Sequence, residues 1–203
     1  PPLSTTSVVA REGTGGAPDA VFTVSLSGVS GQTVTVNYST TAGTAAAGRD
    51  YVSTNGLVTF APGTTTQTIA VRVNDDALNE ASEIFLVNLS TPINATLNDS
   101  QGQGTIANDD PLPALSINDV VVTEANGGAT DAVFTVSLSA VSGQTVTVDY
   151  STTAGTTTAG AVYLSTNGLL TFAPGTTTAS ITVKVIGDLL NETDETFFVN
   201  LSG

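Results

Sequence analysis

Two long stretches of the chain are near-copies of each other in unbroken register. VFTVSLS at Val21 to Ser27 returns at Val133 to Ser139, SGQTVTV at Ser30 to Val36 returns at Ser142 to Val148, and YSTTAGT at Tyr38 to Thr44 returns at Tyr150 to Thr156. The offset, position 133 against position 21, is 112 residues. A repeat of that length is a domain, because about 100 residues can bury their own core whereas units of about 20 to 50 residues must stack on neighbours. Two like domains are therefore expected at residues 1–110 and 115–203, joined by a short proline-containing linker at 111–114. Carried forward by the same offset, the closing segment Gln101 to Asp110 would recur at 213–222, past Gly203, so the second domain is expected to lack its last strand within this chain. Pro1-Pro2-Leu3-Ser4 resembles Pro111-Leu112-Pro113-Ala114-Leu115-Ser116, which points to a longer array.

The pattern inside each copy is that of strands. Ala20, Phe22, Val24 and Leu26 alternate with Val21, Thr23 and Ser25, and Val34, Val36 and Tyr38 continue the period of two. Further strands are predicted at Ser7 to Ala10, Leu57 to Phe60, Thr66 to Val73, Ile84 to Leu89 and Gly104 to Ala107, separated by turn chemistry at Ser27-Gly28, Asn55-Gly56 and Pro62-Gly63. Seven short strands in one copy and no long amphipathic segment predict an all-β fold: tandem immunoglobulin-like antiparallel β-sandwiches, with a closed barrel as the lesser alternative.

Charge narrows the partners. With 4 basic and 18 acidic residues the net charge is −14, which argues against nucleic acid and anionic membranes and favours cations. No run of about 18 apolar residues predicts membrane insertion. The first copy carries Glu12, Asp19, Asp50, Asp75, Asp76, Glu80, Glu83, Asp99, Asp109 and Asp110, and four of these crowd into Asp75 to Glu83. Two like charges 4 Å apart repel by about 4 kcal/mol at an effective dielectric near 20. Calcium is the natural counter-ion, since it accepts six to eight carboxylate and carbonyl oxygens in flexible geometry. The plainer alternative is a set of solvated acidic turns.

The order of these segments resembles the Calx-beta repeat: Val21-Phe22-Thr23-Val24, Gly43-Thr44-Ala45 leading to Gly48-Arg49-Asp50-Tyr51, Leu57 to Gly63, Asp75-Asp76 with Glu80 and Glu83, and Gly104-Thr105-Ile106-Ala107-Asn108-Asp109-Asp110. The resemblance implies a seven-stranded sandwich with a calcium cluster at one pole, and as positions similar to family ligands it implies Glu12, Asp50, Asp75, Asp76, Glu80, Glu83, Asp109 and Asp110. In the second copy Glu124, Asp188, Glu192 and Glu195 keep their places, but Val162 replaces Asp50 and Gly187 replaces Asp75. A weaker second site is expected there, with Asp194 opposite Ser82 as partial compensation. Asp109 and Asp110 precede Pro111-Leu112-Pro113, where a calcium ion would stiffen a junction already restricted by proline.

Catalysis is not expected. The chain has no His and no Cys, which removes the usual triads and the His- or Cys-based zinc sites. Most aromatic residues, such as Phe22, Phe60 and Phe85, fall on core positions, and Tyr51 and Tyr163 are expected to plug the sandwiches. Two non-enzymatic readings follow. One is a calcium-stiffened structural or adhesive repeat of a large extracellular or cell-surface protein, with neighbouring repeats as partners and a possible homo-polymer built by strand complementation. The alternative is a calcium-sensing regulatory module of a transporter-like membrane protein. The sequons at Asn37, Asn88, Asn94, Asn98, Asn191 and Asn200 carry meaning only in a host that glycosylates them.

Overall fold

Alternation of apolar and polar residues builds two sheets in each repeat, with the apolar rows turned toward each other. The computed structural model describes residues 1–13, 16, 18–157 and 159–203. They fall into two units, Pro1–Asp110 and Pro111–Gly203.

Unit 1 runs β1 (Pro2–Thr5), β2 (Val8–Arg11), β3 (Asp19–Leu26), β4 (Val34–Ala42), β5 (Asn55–Phe60), β6 (Thr66–Arg72), β7 (Glu83–Ile93), β8 (Thr96–Leu97) and β9 (Gln101–Ala107). One sheet has the order β6-β3-β1-β8 and the other β2-β9-β7-β4-β5. Phe22 and Val24 of β3, Val34 and Val36 of β4, Phe60 of β5, Ile69 and Val71 of β6, Phe85 and Val87 of β7 and Ile106 of β9 all close the space between the sheets. Tyr51 is fully enclosed and stacks on Phe85 at 4.6 Å, while Phe85 meets Phe22 edge-on at 5.8 Å. These rings plug the sandwich, as their positions in the sequence predicted.

The N-terminal region departs from the expectation of one strand at Ser7 to Ala10. β1 pairs antiparallel with β3 in the first sheet, after which the chain crosses over and β2 pairs with β9 in the second. Leu3 is the cause on one side, since its fully buried side chain anchors β1. The β2–β9 and β1–β8 pairings are both parallel, so the sandwich is not wholly antiparallel. The crossing covers the edge of β9, which would otherwise be open to another chain.

Unit 2 runs β10 (Leu115–Ile117), β11 (Gly128–Leu138), β12 (Val146–Ala154), β13 (Asn167–Phe172), β14 (Thr178–Gly187) and β15 (Phe197–Ser202). Its sheets are β10-β11-β14 and β13-β12-β15. Tyr163 stacks on Phe197 at 4.6 Å and Phe197 meets Phe134 edge-on at 5.9 Å, repeating the ring geometry of unit 1. Residues 120–123 stand where β2 stands in unit 1 but form no strand. Among the described residues no helix is long and apolar enough to cross a membrane.

Candidate metal centre

Four segments of unit 1 end at one pole, and each delivers acidic residues there. Glu12 follows β2, with its amide bonded to the Ala107 carbonyl at 3.2 Å, so the β2–β9 pairing sets its place. Asp50 lies in the turn after β4. Its Oδ2 accepts the Ala46 N–H at 2.6 Å, and its own carbonyl accepts the Asn74 N–H at 2.9 Å. The Asn74 side-chain amide ties the same turn to the end of β6 by donating to the Gly48 and Arg49 carbonyls at 3.2 and 2.7 Å.

The loop between β6 and β7 is held in the same way. Asp75 accepts the Gly16 N–H at 2.9 Å, and Asp76 caps its own turn by accepting the Leu78 N–H at 2.8 Å. The Glu80 N–H donates to Asn108 Oδ1 at 3.0 Å, and the buried Asn79 amide donates to the Asp110 carbonyl at 2.8 Å. These amides lock the loop to the segment after β9. There Asp109 accepts the Gly13 N–H at 3.2 Å.

The result is two adjoining groups of carboxylates. One oxygen each of Asp50, Glu80 and Glu83 lies within 4.8 Å of the others, a separation that one cation can span. Glu12 connects this trio to the second group. Burial pushes its carboxyl up to about 7, helped by Asp76, Asp110, Asp109 and Asp50 in that order. Glu83 is also pushed up to about 7, first by burial, then by the facing Asp50 carboxyl, with Arg49 pulling the other way. Asp110 is raised by burial and then by Asp109, Asp76 and Asp75. Each shift has the same origin: too much negative charge in too little water.

Among the described residues Arg49 is the cation that pairs with this constellation, and charge-counting from the sequence did not place it there. Its Nε lies 3.3 Å from Asp50 Oδ1, and its Nη2 pairs with Glu80. The guanidinium is more than half exposed and reaches only one side of the cluster. Even so, Glu12 Oε2, Glu83 Oε2 and Asp110 Oδ2 are buried without a hydrogen-bond partner. Buried carboxylate oxygens with no donor are costly, and a hard oxygen-seeking dication is the ligand that matches them. Asn74, Asn79 and Asn108 were also missed by charge-counting. Asn79 returns as Asn191 at the same offset inside an acidic loop, which was the available signal.

In unit 2 the acidic residues are sparser. Glu124 is half-buried, while Asp188, Glu192 and Glu195 are exposed. Asp188, Glu195 and Glu124 all act to raise Glu192, after desolvation, so the four share one region. Among the described residues no trio of acidic oxygens in unit 2 converges as Asp50, Glu80 and Glu83 do.

A model of the Calx-beta domain matches residues 3–111 and 107–203. Among curated proteins the chain is 30% identical over 195 residues to sodium/calcium exchanger 2 of Rattus norvegicus, covering 86% of this chain and 21% of that protein. It is 32% identical over 194 residues to sodium/calcium exchanger 1 of Bos taurus, covering 83% and 19%. The chain thus spans about a fifth of the length of these relatives. Among solved structures it is similar to CBD12 from CALX1.2, at 27% identity and a TM-score of 0.51, covering 98% of this chain and 79% of that one. It is also similar to the calcium binding domain CBD12 of CALX1.1, at 25% identity and a TM-score of 0.50, covering 98% and 78%.

Proposed function

Because the chain belongs to the Calx-beta family, we propose that it is a non-catalytic calcium-binding module whose principal site is the acidic pole of unit 1. Glu12, Asp50, Asp75, Asp76, Glu80, Glu83, Asp109 and Asp110 would hold the metal, supplying carboxylate oxygen to a cation that prefers it. The observation that carries this reading is the set of buried, donor-less oxygens on Glu12, Glu83 and Asp110. Calcium bound there neutralises the repulsion that raises these carboxyls. Glu124, Asp188, Glu192 and Glu195 form a weaker second site, because fewer and more exposed carboxylates bind calcium less tightly.

The comparisons favour a sensing role. The similarity to the CBD12 structures runs through both units, and the curated relatives are sodium/calcium exchangers. In this role metal binding at Asp109 and Asp110 fixes the path on which the chain leaves unit 1 toward Pro111. The near-identity of the copies favours the other reading, a calcium-stiffened structural or adhesive repeat at a cell surface. Isothermal titration of residues 1–203 with calcium tests the shared premise. Saturable binding that EDTA reverses and Asp50→Asn weakens by about tenfold or more supports it; no heat above dilution refutes it. Small-angle scattering with and without calcium then separates the roles: a sensor exchanges one defined profile for another, whereas a calcium-stiffened spacer only narrows the spread of its dimensions.

A further inference from the structure

The corner of the acidic pole formed by Asp50, Glu80 and Glu83 contains a cation of the protein's own. Arg49 Nε lies 3.3 Å from Asp50 Oδ1, and its Nη2 pairs with Glu80 Oε1. Burial and then the facing Asp50 push the Glu83 carboxyl up, and the same guanidinium pulls it down. One positive group therefore acts on all three carboxylates whose oxygens lie within 4.8 Å of one another. Among the described residues Lys184, by contrast, forms its ion pair with Asp131 alone.

The arginine is attached so that its side chain can leave while its surroundings stay. Its N–H donates to the Ala46 carbonyl at 3.3 Å, and its carbonyl accepts the Asn74 side-chain amide at 2.7 Å, so the backbone is fixed on both sides. Asp50 is pinned separately by the Ala46 N–H on its Oδ2 at 2.6 Å, which leaves Oδ1 to the guanidinium. The Arg49 side chain is 55% exposed, against 5% for Asp50 and 11% for Glu80. Rotation about its own side-chain bonds therefore takes the guanidinium into water without moving either carboxylate. An ion pair whose cation is that exposed is screened and weak, so it yields readily to a stronger counter-charge.

The second copy supplies a comparison within the chain. At the offset of 112 residues Ala161 and Val162 stand for Arg49 and Asp50, while Glu192 and Glu195 stand for Glu80 and Glu83. The arginine is missing where the aspartate is missing, as expected of a charge that answers three carboxylates in one small space rather than two. A separate sign that a further cation belongs beside this corner is Glu12. It is 6% exposed, its Oε2 has no hydrogen-bond donor, and its carboxyl feels the charge of Asp50.

We propose that Arg49 is a built-in competitor of calcium: its guanidinium holds the Asp50, Glu80 and Glu83 corner together in the metal-free protein and swings out to water when calcium enters. The proposal rests on the calcium reading above and adds to it the residue that sets the threshold for binding. Arg49 offers one charge and a planar fork of N–H donors, whereas a dication offers two charges and draws oxygens from every side. The two cannot share the corner, because like charges that close repel. Whatever stability the arginine lends the metal-free fold must be given up on binding, so Arg49 lowers calcium affinity by the same factor.

The test compares residues 1–203 with the variant Arg49→Gln, which removes the charge and keeps a flexible polar side chain. Isothermal titration at low salt should show the variant binding calcium about threefold or more tightly than the parent. By calorimetry its unit 1 transition should lie below the parent's in EDTA, and the two should coincide in saturating calcium, where the arginine no longer contributes. By NMR the Arg49 Nε–H, assigned by its loss in the variant, should exchange slowly with water in EDTA and rapidly in calcium. Arg72→Gln, which removes a positive charge from the end of β6, controls for net charge and should change the affinity by less than about twofold. Equal affinity of parent and Arg49→Gln, an Nε–H that stays protected in saturating calcium, or an equal gain from Arg72→Gln overturns the competition. Weaker binding by Arg49→Gln also overturns it and makes Arg49 a positioning residue for Asp50 and Glu80. Calcium that binds neither protein refutes the calcium reading and this proposal with it, whereas calcium that binds both alike refutes the competition alone.

Discussion

At the scale of single residues, the acidic pole of unit 1 is a place where crowded, buried carboxyls cost the metal-free fold stability. Glu12 and Glu83 titrate near 7, above the 4.5 of a free glutamate. Between those values the folded protein holds protons that the unfolded chain has released, so stability is highest below pH 4.5 on this account and is lost as pH rises through 7. Metal-free protein should therefore melt at a lower temperature at pH 8 than at pH 5.5 by calorimetry, and calcium should abolish the difference at unit 1. The same protons must leave when the metal binds. Titrations in buffers of different ionisation enthalpy should thus show proton release at pH 6.5 and less at pH 8. Glu12→Gln removes the charge and keeps the shape; it should raise the metal-free midpoint by a few degrees, as about 1 kcal/mol does in a domain of this size, while lowering calcium affinity. Most of these acidic residues were legible as a group from their crowding between 75 and 83 and at 109–110. Arg49 was not, because a lone arginine beside an aspartate carries no sign of which distant glutamate it will meet.

At the scale of elements, the strands were visible wherever one face is buried and the other wet. β3, β4 and β6 follow the period of two that their sequences announce, and Phe22, Val34 and Ile69 face inward as that period requires. β9 was seen only in part. Of its inward positions Gly102, Gly104 and Ile106, the first two carry no apolar signal, and what crowds those glycines is the Thr6 carbonyl with Phe22 of β3 at one and Phe85 of β7 at the other. Gly104→Ala should destabilise unit 1 by about 1–3 kcal/mol or more, because Phe85 is wedged between Tyr51 and Phe22 and has nowhere to move. Chemical denaturation of unit 1 alone measures this, and a loss of under about 0.5 kcal/mol would mean that the ring yields. The split of the first strand into β1 and β2 was invisible for another reason. Leu3 reads as one isolated apolar residue in a polar stretch, and only its burial under the first sheet makes a strand of it.

At the scale of the whole molecule, two copies of nearly one sequence bury unequal cores within residues 1–203. Among the described residues unit 1 encloses 18 buried apolar residues and unit 2 encloses 10. Calorimetry of residues 1–203 should accordingly resolve two transitions, the lower belonging to unit 2. Calcium at about 100 times its dissociation constant should lift the upper one by several degrees, since it adds about 2.7 kcal/mol to the unit that binds it. A single transition that ignores calcium would contradict both the inequality and the site. The repeat, the strand class and the acidic crowding are local facts of sequence, written in neighbours one, two or 112 positions apart, and they needed no folding to be read. Which carboxylates share one cation's space and which of them Arg49 shields are relations between segments as distant as Glu12 and Asp110. Those relations exist only once β2 lies against β9 and β9 against β7, because it is backbone pairing, not sequence proximity, that gathers the loop ends at one pole.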